Sequence, residues 1–229
     1  MKRIAKLTLA DIRFQFRYGF YALYAIVSLL YVVCIRLLPV GWREAARIVT
    51  VFSDPAALGL FFMGAILLFE KGEGVLPSLA VSPVRIGEYV LSKMLSIALV
   101  SVFAGLVVVI ASGGSPGPGL LAGLLAGSFL FTLTGIVFGS GAATLNRFLI
   151  ITVPAEICIM VPALAWHFGF CPPILLIHPG VLVIGLFSPG SVPVVLAACM
   201  LSVWLALFFV LACRSASRMF RESDEGRAP

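Results

Sequence analysis

Four stretches of this chain carry no Asp, Glu, Lys, Arg or His: residues 18–35, 94–111, 119–145 and 192–213. A bilayer's hydrocarbon layer of about 30 Å, crossed at 1.5 Å per residue, asks for a helix of about 20 such residues. Two weaker runs, 55–69 and 148–166, bring the set to six. Charged residues are 11% of the 229, against roughly 25% in a soluble domain, which leaves too little polar material to cover a soluble globule. The expected fold is therefore an all-α integral membrane protein with six transmembrane helices in one domain. The spans are placed at about 18–38, 55–70, 88–112, 119–140, 148–166 and 192–213.

The distribution of basic residues sets the orientation. With the N-terminus inside, thirteen Lys and Arg fall on inner segments and three, Arg36, Arg43 and Arg47, on outer ones. Basic residues resist translocation, so both termini are expected in the cytoplasm of a cell (plasma or inner) membrane protein. The net charge of +6 then reflects topology and gives no reason to expect nucleic-acid binding. Residues 1–17 resemble the basic region of a signal peptide, but the cations extend too far and no small-residue cleavage site follows. They read instead as a retained amphipathic interface helix in contact with membrane lipids, with Ile4, Leu7, Ile12, Phe14 and Phe16 on its apolar side. The three outer arginines need a local reason. Residues 41–52 read as a short amphipathic helix on the outer face, with Arg43 and Arg47 toward headgroups, while Arg36 and Asp54 lie close enough to the boundary to snorkel.

Helix boundaries are also marked. Ser53-Asp54-Pro55 offers a capping carboxylate before a proline, the signal for a helix start, and Ser82-Pro83 repeats it ahead of the third span. Gly123/Gly127 and Gly135/Gly139 place small residues at four-residue spacing, which predicts close helix packing. Pro154 and Pro162 are expected to bend or break the fifth span. Residues 167–191 hold apolar pieces too short to cross, punctuated by Pro-Gly, and read as outer re-entrant or interfacial half-helices. Residues 222–229 read as a disordered tail.

Motifs for catalysis are missing: there is no phosphate loop, no H-E-x-x-H and no G-x-S-x-G. His167 and His178 have no ligand-spaced partner and read as interfacial. The five cysteines show no paired or metal-binding spacing, and four lie in or at the ends of apolar runs, where they act as small hydrophobes. No cofactor or metal is expected in this chain. Glu156 is the one carboxylate deep inside a predicted span. Two readings of it stand: a polar point lining a translocation path for a cationic substrate, or a structural hydrogen bond.

The inner connection after the second span, residues 70–93, is unusual. It alternates carboxylates, glycines and leucines where a few polar residues would suffice. Leu76, Leu79 and Val81 would lie exposed on a short amphipathic helix, as on a surface that docks another protein. The string Glu70, Lys71, Glu73, Gly74, Leu76, Leu79, Ser82, Pro83, Arg85, Glu88, Tyr89 and Lys93 resembles the inner motif of permeases of type-2 ATP-binding-cassette (ABC) exporters. The phenylalanine-led stretch 52–60 makes the chain similar to the small bacterial subunits assigned to fluoroquinolone export. One departure stands out: Pro77 occupies a place where the family has a helix-favouring residue.

The resemblance implies that residues 71–87 form a cytoplasmic coupling helix and its flanks. Glu73 to Leu79 would contact the ABC ATPase, with Glu70 and Arg85 bracing the motif. It also implies that ATP and Mg are bound by that partner and not by this chain, and that a second permease copy or paralogue completes the transporter. Two other readings are carried beside this one. A non-transport scaffold or immunity-type subunit would use the same loop for recruitment. A secondary transporter would show paired intramembrane charges or an inverted repeat, neither of which is clear in the sequence.

Overall fold

The computed structural model describes residues 2–75, 84–188 and 190–225, and among the described residues there is no strand. The helices are α1 (Lys2–Arg17), α2 (Phe20–Leu37), α3 (Arg43–Val51), α4 (Leu58–Gly72), α5 (Ile86–Ala111), α6 (Pro118–Ser140), α7 (Leu145–His167), α8 (Pro179–Phe187) and α9 (Val194–Glu225). Six runs are long and apolar enough to cross a membrane: α2, Val40–Gly72, α5, α6, α7 and Val194–Arg221. The chain is a multi-pass membrane protein.

α6 is the central helix, packed against α4, α5, α8 and α9. Small residues make that possible. A Cβ at Gly135 would lie 2.7 Å from the Leu60 carbonyl oxygen and 2.8 Å from that of Gly59. One at Gly59 would lie 2.6 Å from the Thr132 backbone nitrogen, so the backbones of α4 and α6 touch here. Gly139 continues the contact against Gly64 Cα, whereas Gly123 faces the Phe187 ring of α8. Between helices surrounded by lipid, attraction comes mainly from such close packing.

The outer arginines bond to backbone carbonyls. Arg36 donates to the Ala111 carbonyl through Nε at 2.9 Å and Nη2 at 2.7 Å. Arg43 donates to the carbonyls of Leu38 at 2.9 Å and Arg36 at 3.0 Å. These are carbonyls at or just past the ends of α5 and α2, groups a helix leaves without internal partners. Arg47 donates to the Arg43 carbonyl at 3.2 Å. Two of the three outer arginines, Arg36 and Arg43, thus cap helix C-termini, while Arg47 bonds back to the first residue of its own helix.

Ser53-Asp54-Pro55 does not start the second span. Residues Phe52–Ala56 form a π turn that joins α3 to α4, and α4 begins at Leu58. Asp54 is drawn away from capping because its carboxylate accepts from Tyr24 Oη at 2.9 Å. α3 is not a helix lying free on the surface: Val51 and Phe52 are core residues, with Ile48 packed beside them. The helix of the third span starts at Ile86, with Val84 and Arg85 outside it, and the expected start at Ser82-Pro83 lies outside the described residues.

Both prolines lie inside α7, which continues through them as one helix. Pro162 has no N–H, which frees the Cys158 carbonyl. His178, the residue before α8, is an electrostatic neighbour of that carbonyl. Gly180 allows the approach, since a Cβ there would lie 2.4 Å from the Ile159 carbonyl oxygen. α8 is buried against α6, α7 and α9, with Val181, Leu182, Val183 and Ile184 fully enclosed. A helix of nine residues cannot cross, and protein on its sides shields its free ends.

α9 stays helical to Glu225, which corrects the expectation of disorder from residue 222 onward as far as Glu225; 226–229 lie outside the described residues. Packing carries the helix past its apolar stretch: Ala212, Ala216 and Met219 are buried, and the Phe220 ring meets Tyr89 edge-on at 5.3 Å. All five cysteines are free thiols.

Candidate functional site

Lys93 stands about two turns into α5 with only 1% of its surface exposed. An ammonium so placed needs anions, and two reach it. Asp11 of α1 lies 2.5 Å away, and Glu70, at the end of α4 and 6% exposed, forms the second ion pair. Tyr89 Oη donates to the other Glu70 oxygen at 2.6 Å, and Ser92 Oγ donates to Asp11 at 3.0 Å. One turn on, Gln15 Nε2 donates to Ser96 Oγ at 3.1 Å. Burial pushes the Asp11 carboxyl above the usual carboxylate range, with the Lys93 ammonium pulling the other way. Two helices that flank the inner connection, α4 and α5, are thereby pinned to the distant α1 at one polar point. Desolvating such charges costs several kcal/mol per ion, which is recovered only while every partner stays in place.

A second clip ties α1 to the end of α4. Tyr18 Oη donates to the Glu73 carboxylate, and the Tyr18 ring packs on Phe69 at 5.1 Å and Phe14 at 4.4 Å. Gly19 follows with φ +75°, a left-handed elbow that turns the chain from α1 into α2. Lys71 donates to the carbonyls of Ser140 at 2.6 Å and Ala142 at 2.9 Å, closing the end of α6. On the far side of the connection, Glu88 accepts from the Arg85 backbone N–H at 3.0 Å and so caps α5.

The residues the sequence grouped as one motif thus divide. Glu70 and Lys71 turn inward, Glu73 and Gly74 are exposed, and Arg85 with Glu88 opens α5. Leu76, Leu79, Ser82 and Pro83 lie outside the described residues, as does Pro77. Nothing in the sequence singles out Asp11, and Lys93 and Tyr89 stand out there only as members of a motif. A lysine within a long apolar run is itself a signal that a buried anion must exist.

Glu156 lies near the middle of α7 and is partly exposed. Its electrostatic neighbour is Asp54, held by the hydroxyls of Tyr24 and Tyr31 of α2. Glu156 and the Asp54 group come from distant parts of the chain.

A model of the fluoroquinolones export permease protein family matches residues 2–222. The chain belongs to that family. It is similar to the fluoroquinolones export permease proteins of two Mycobacterium tuberculosis strains, CDC 1551 / Oshkosh and ATCC 25618 / H37Rv. Each is 27% identical over 185 residues, covering 78% of this chain and 77% of the relative. Membership of the fluoroquinolones export permease family makes the chain a membrane permease, a transport subunit rather than an enzyme in its own right. The matched region takes in α1 and α9 as well as the central helices, so the pinned junction of α1, α4 and α5 lies wholly within it.

Proposed function

We propose that this chain is the membrane subunit of an ATP-driven ABC exporter and that the end bearing α1 faces the cytoplasm. ATP and Mg bind a separate ATPase, which grips the 71–87 connection. The observation that carries this reading is the buried cluster of Glu70, Lys93 and Asp11. It anchors both roots of that connection to each other and to α1, so a push on the connection moves three helices together. A loop with a loose root would dissipate the same push. The cluster sits within two residues of the end of α4, so it serves as a brace and not as a midway ion path.

Two permease copies, or this chain and a paralogue, enclose the path between them. ATP binding and hydrolysis shift the equilibrium between inward and outward states through the partner's different affinity for each. The relatives' names support a fluoroquinolone-like amphipathic drug as the substrate, and Glu156 supplies a negative point for its cationic group.

Co-expression with the ATPase tests the coupling surface. Glu73→Lys and Leu79→Lys are expected to abolish drug-stimulated ATP hydrolysis and transport while membrane insertion stays at the parent level. Full transport by both variants removes the coupling role. Glu156→Gln is expected to lower transport of a cationic drug roughly tenfold or more, the loss of one charge-assisted contact of about 1.5–3 kcal/mol. An uncharged analogue should be moved at the parent rate. Equal transport of both molecules by the variant makes Glu156 a structural hydrogen-bonding residue.

A further inference from the structure

A groove of about 1090 Å³ opens on the flank of the bundle between α1, α5 and α6. Leu95, Leu99 and Phe103 of α5, Leu125 of α6 and Ile12 of α1 form most of its wall, and Thr8 is its one polar residue. α5 lines it from Leu91 to Leu106, about 22 Å at 1.5 Å per residue, whereas one leaflet's share of the hydrocarbon layer is about 15 Å deep. The shape suits an extended chain lying along α5 better than a compact solute.

α1 closes the groove at the end nearest the ion cluster, and its faces have distinct chemistry. Asp11 and Gln15 point to Ser92 and Ser96 of α5. Ala5, Leu9 and Ile12 line the groove. At about 100° per residue, the next face round carries Lys6, Arg13 and Arg17, all exposed. The exposed Leu9 forms the edge of the groove next to this cationic row. An apolar slot with cations at its rim is complementary to a molecule with an acyl tail and a negative head. An anionic phospholipid supplies both parts, an acyl chain for the slot and a negative headgroup for the cations.

We propose that the groove holds an acyl chain of an anionic phospholipid whose negative headgroup is drawn to the row of Lys6, Arg13 and Arg17. On the topology above, this is a lipid of the cytoplasmic leaflet, but the inference does not depend on export or on the ATPase. Its consequence is regulatory. α1 also supplies Asp11 to the cluster around Lys93, so a lipid that fixes α1 fixes one of the three members of the junction.

The test uses the full chain in vesicles. Leu99→Trp places an indole in the groove, and its fluorescence, read as the difference from the parent, is quenched by lipids brominated on the acyl chain. Ile26→Trp, on the exposed side of α2, reports ordinary surrounding lipid. Brominated phosphatidylglycerol is expected to quench Leu99→Trp with an apparent affinity at least about fivefold above brominated phosphatidylcholine, the factor that one surface cation contributes. Ile26→Trp should show no preference. Lys6→Gln, Arg13→Gln and Arg17→Gln together should bring Leu99→Trp to parity without loss of helix content. Equal quenching by the two lipids at Leu99→Trp overturns the proposal, because the groove then holds bulk lipid. Absence of quenching also overturns it, because protein then covers the groove.

Discussion

Lys93→Met is expected to be the most damaging single change in this protein. It removes the cation from a buried site that keeps Glu70 and Asp11, and breaking a buried ion pair from one side costs about 3–5 kcal/mol. That is a large share of the roughly 5–15 kcal/mol by which folded domains are stable. The measurement is the thermal midpoint and the membrane level of the purified chain, both of which should fall well below the parent. Methionine retains most of the lysine's volume, so cavity formation contributes little and the loss reports charge. Adding Glu70→Gln and Asp11→Asn in the same chain should restore most of the midpoint, since Tyr89 and Ser92 then meet neutral acceptors. The restored protein should still fail in drug-stimulated ATP hydrolysis, because neutral groups hold the three helices less firmly. A Lys93→Met protein as stable as the parent would show that the ions do not hold α1, α4 and α5 together.

Gly135→Leu is expected to disrupt the bundle itself. Its added carbons have nowhere to go, because the nearest atoms are the Leu60 and Gly59 carbonyl oxygens of α4. Overpacking a core costs typically about 1–3 kcal/mol when side chains can shift, and backbone against backbone gives less room for relief. Gly123→Ala provides the contrast. A Cβ there meets the Phe187 ring, which can rotate, so the change should lower the thermal midpoint by far less. Size-exclusion profiles and melting of both variants rank the two positions. Similar behaviour of both would mean that α4 and α6 are not in backbone contact.

The six crossings were legible because an uncharged run of sufficient length admits few other fates in a bilayer. The close approach of α4 and α6 was half legible: the Gly135/Gly139 spacing predicted tight packing, but not against which helix. The junction was hidden for a different reason. Asp11, Glu70 and Lys93 are separated by dozens of residues, and only the fold brings them within hydrogen-bonding reach. Glu70 and Lys71 were expected beside Glu73 as parts of one motif, yet the turn of the helix sends the first two inward to bonds that a linear string does not reveal. The outer arginines taught the same lesson. Arg43 was expected at headgroups and Arg36 to snorkel, because sequence shows charge but not the unpaired carbonyls at neighbouring helix ends. Asp54 looked like a cap until Tyr24 claimed it.

The enclosure of α8 has a consequence for biogenesis. Its walls are α6, α7 and α9, and α9 is the last of these to leave the ribosome. A nine-residue apolar helix must therefore wait without its final neighbour, too short to anchor itself in lipid. Assembly of this region is completed only after translation of the last crossing. A nascent chain arrested before residue 194 would present that helix, unsheltered, to chaperones and proteases.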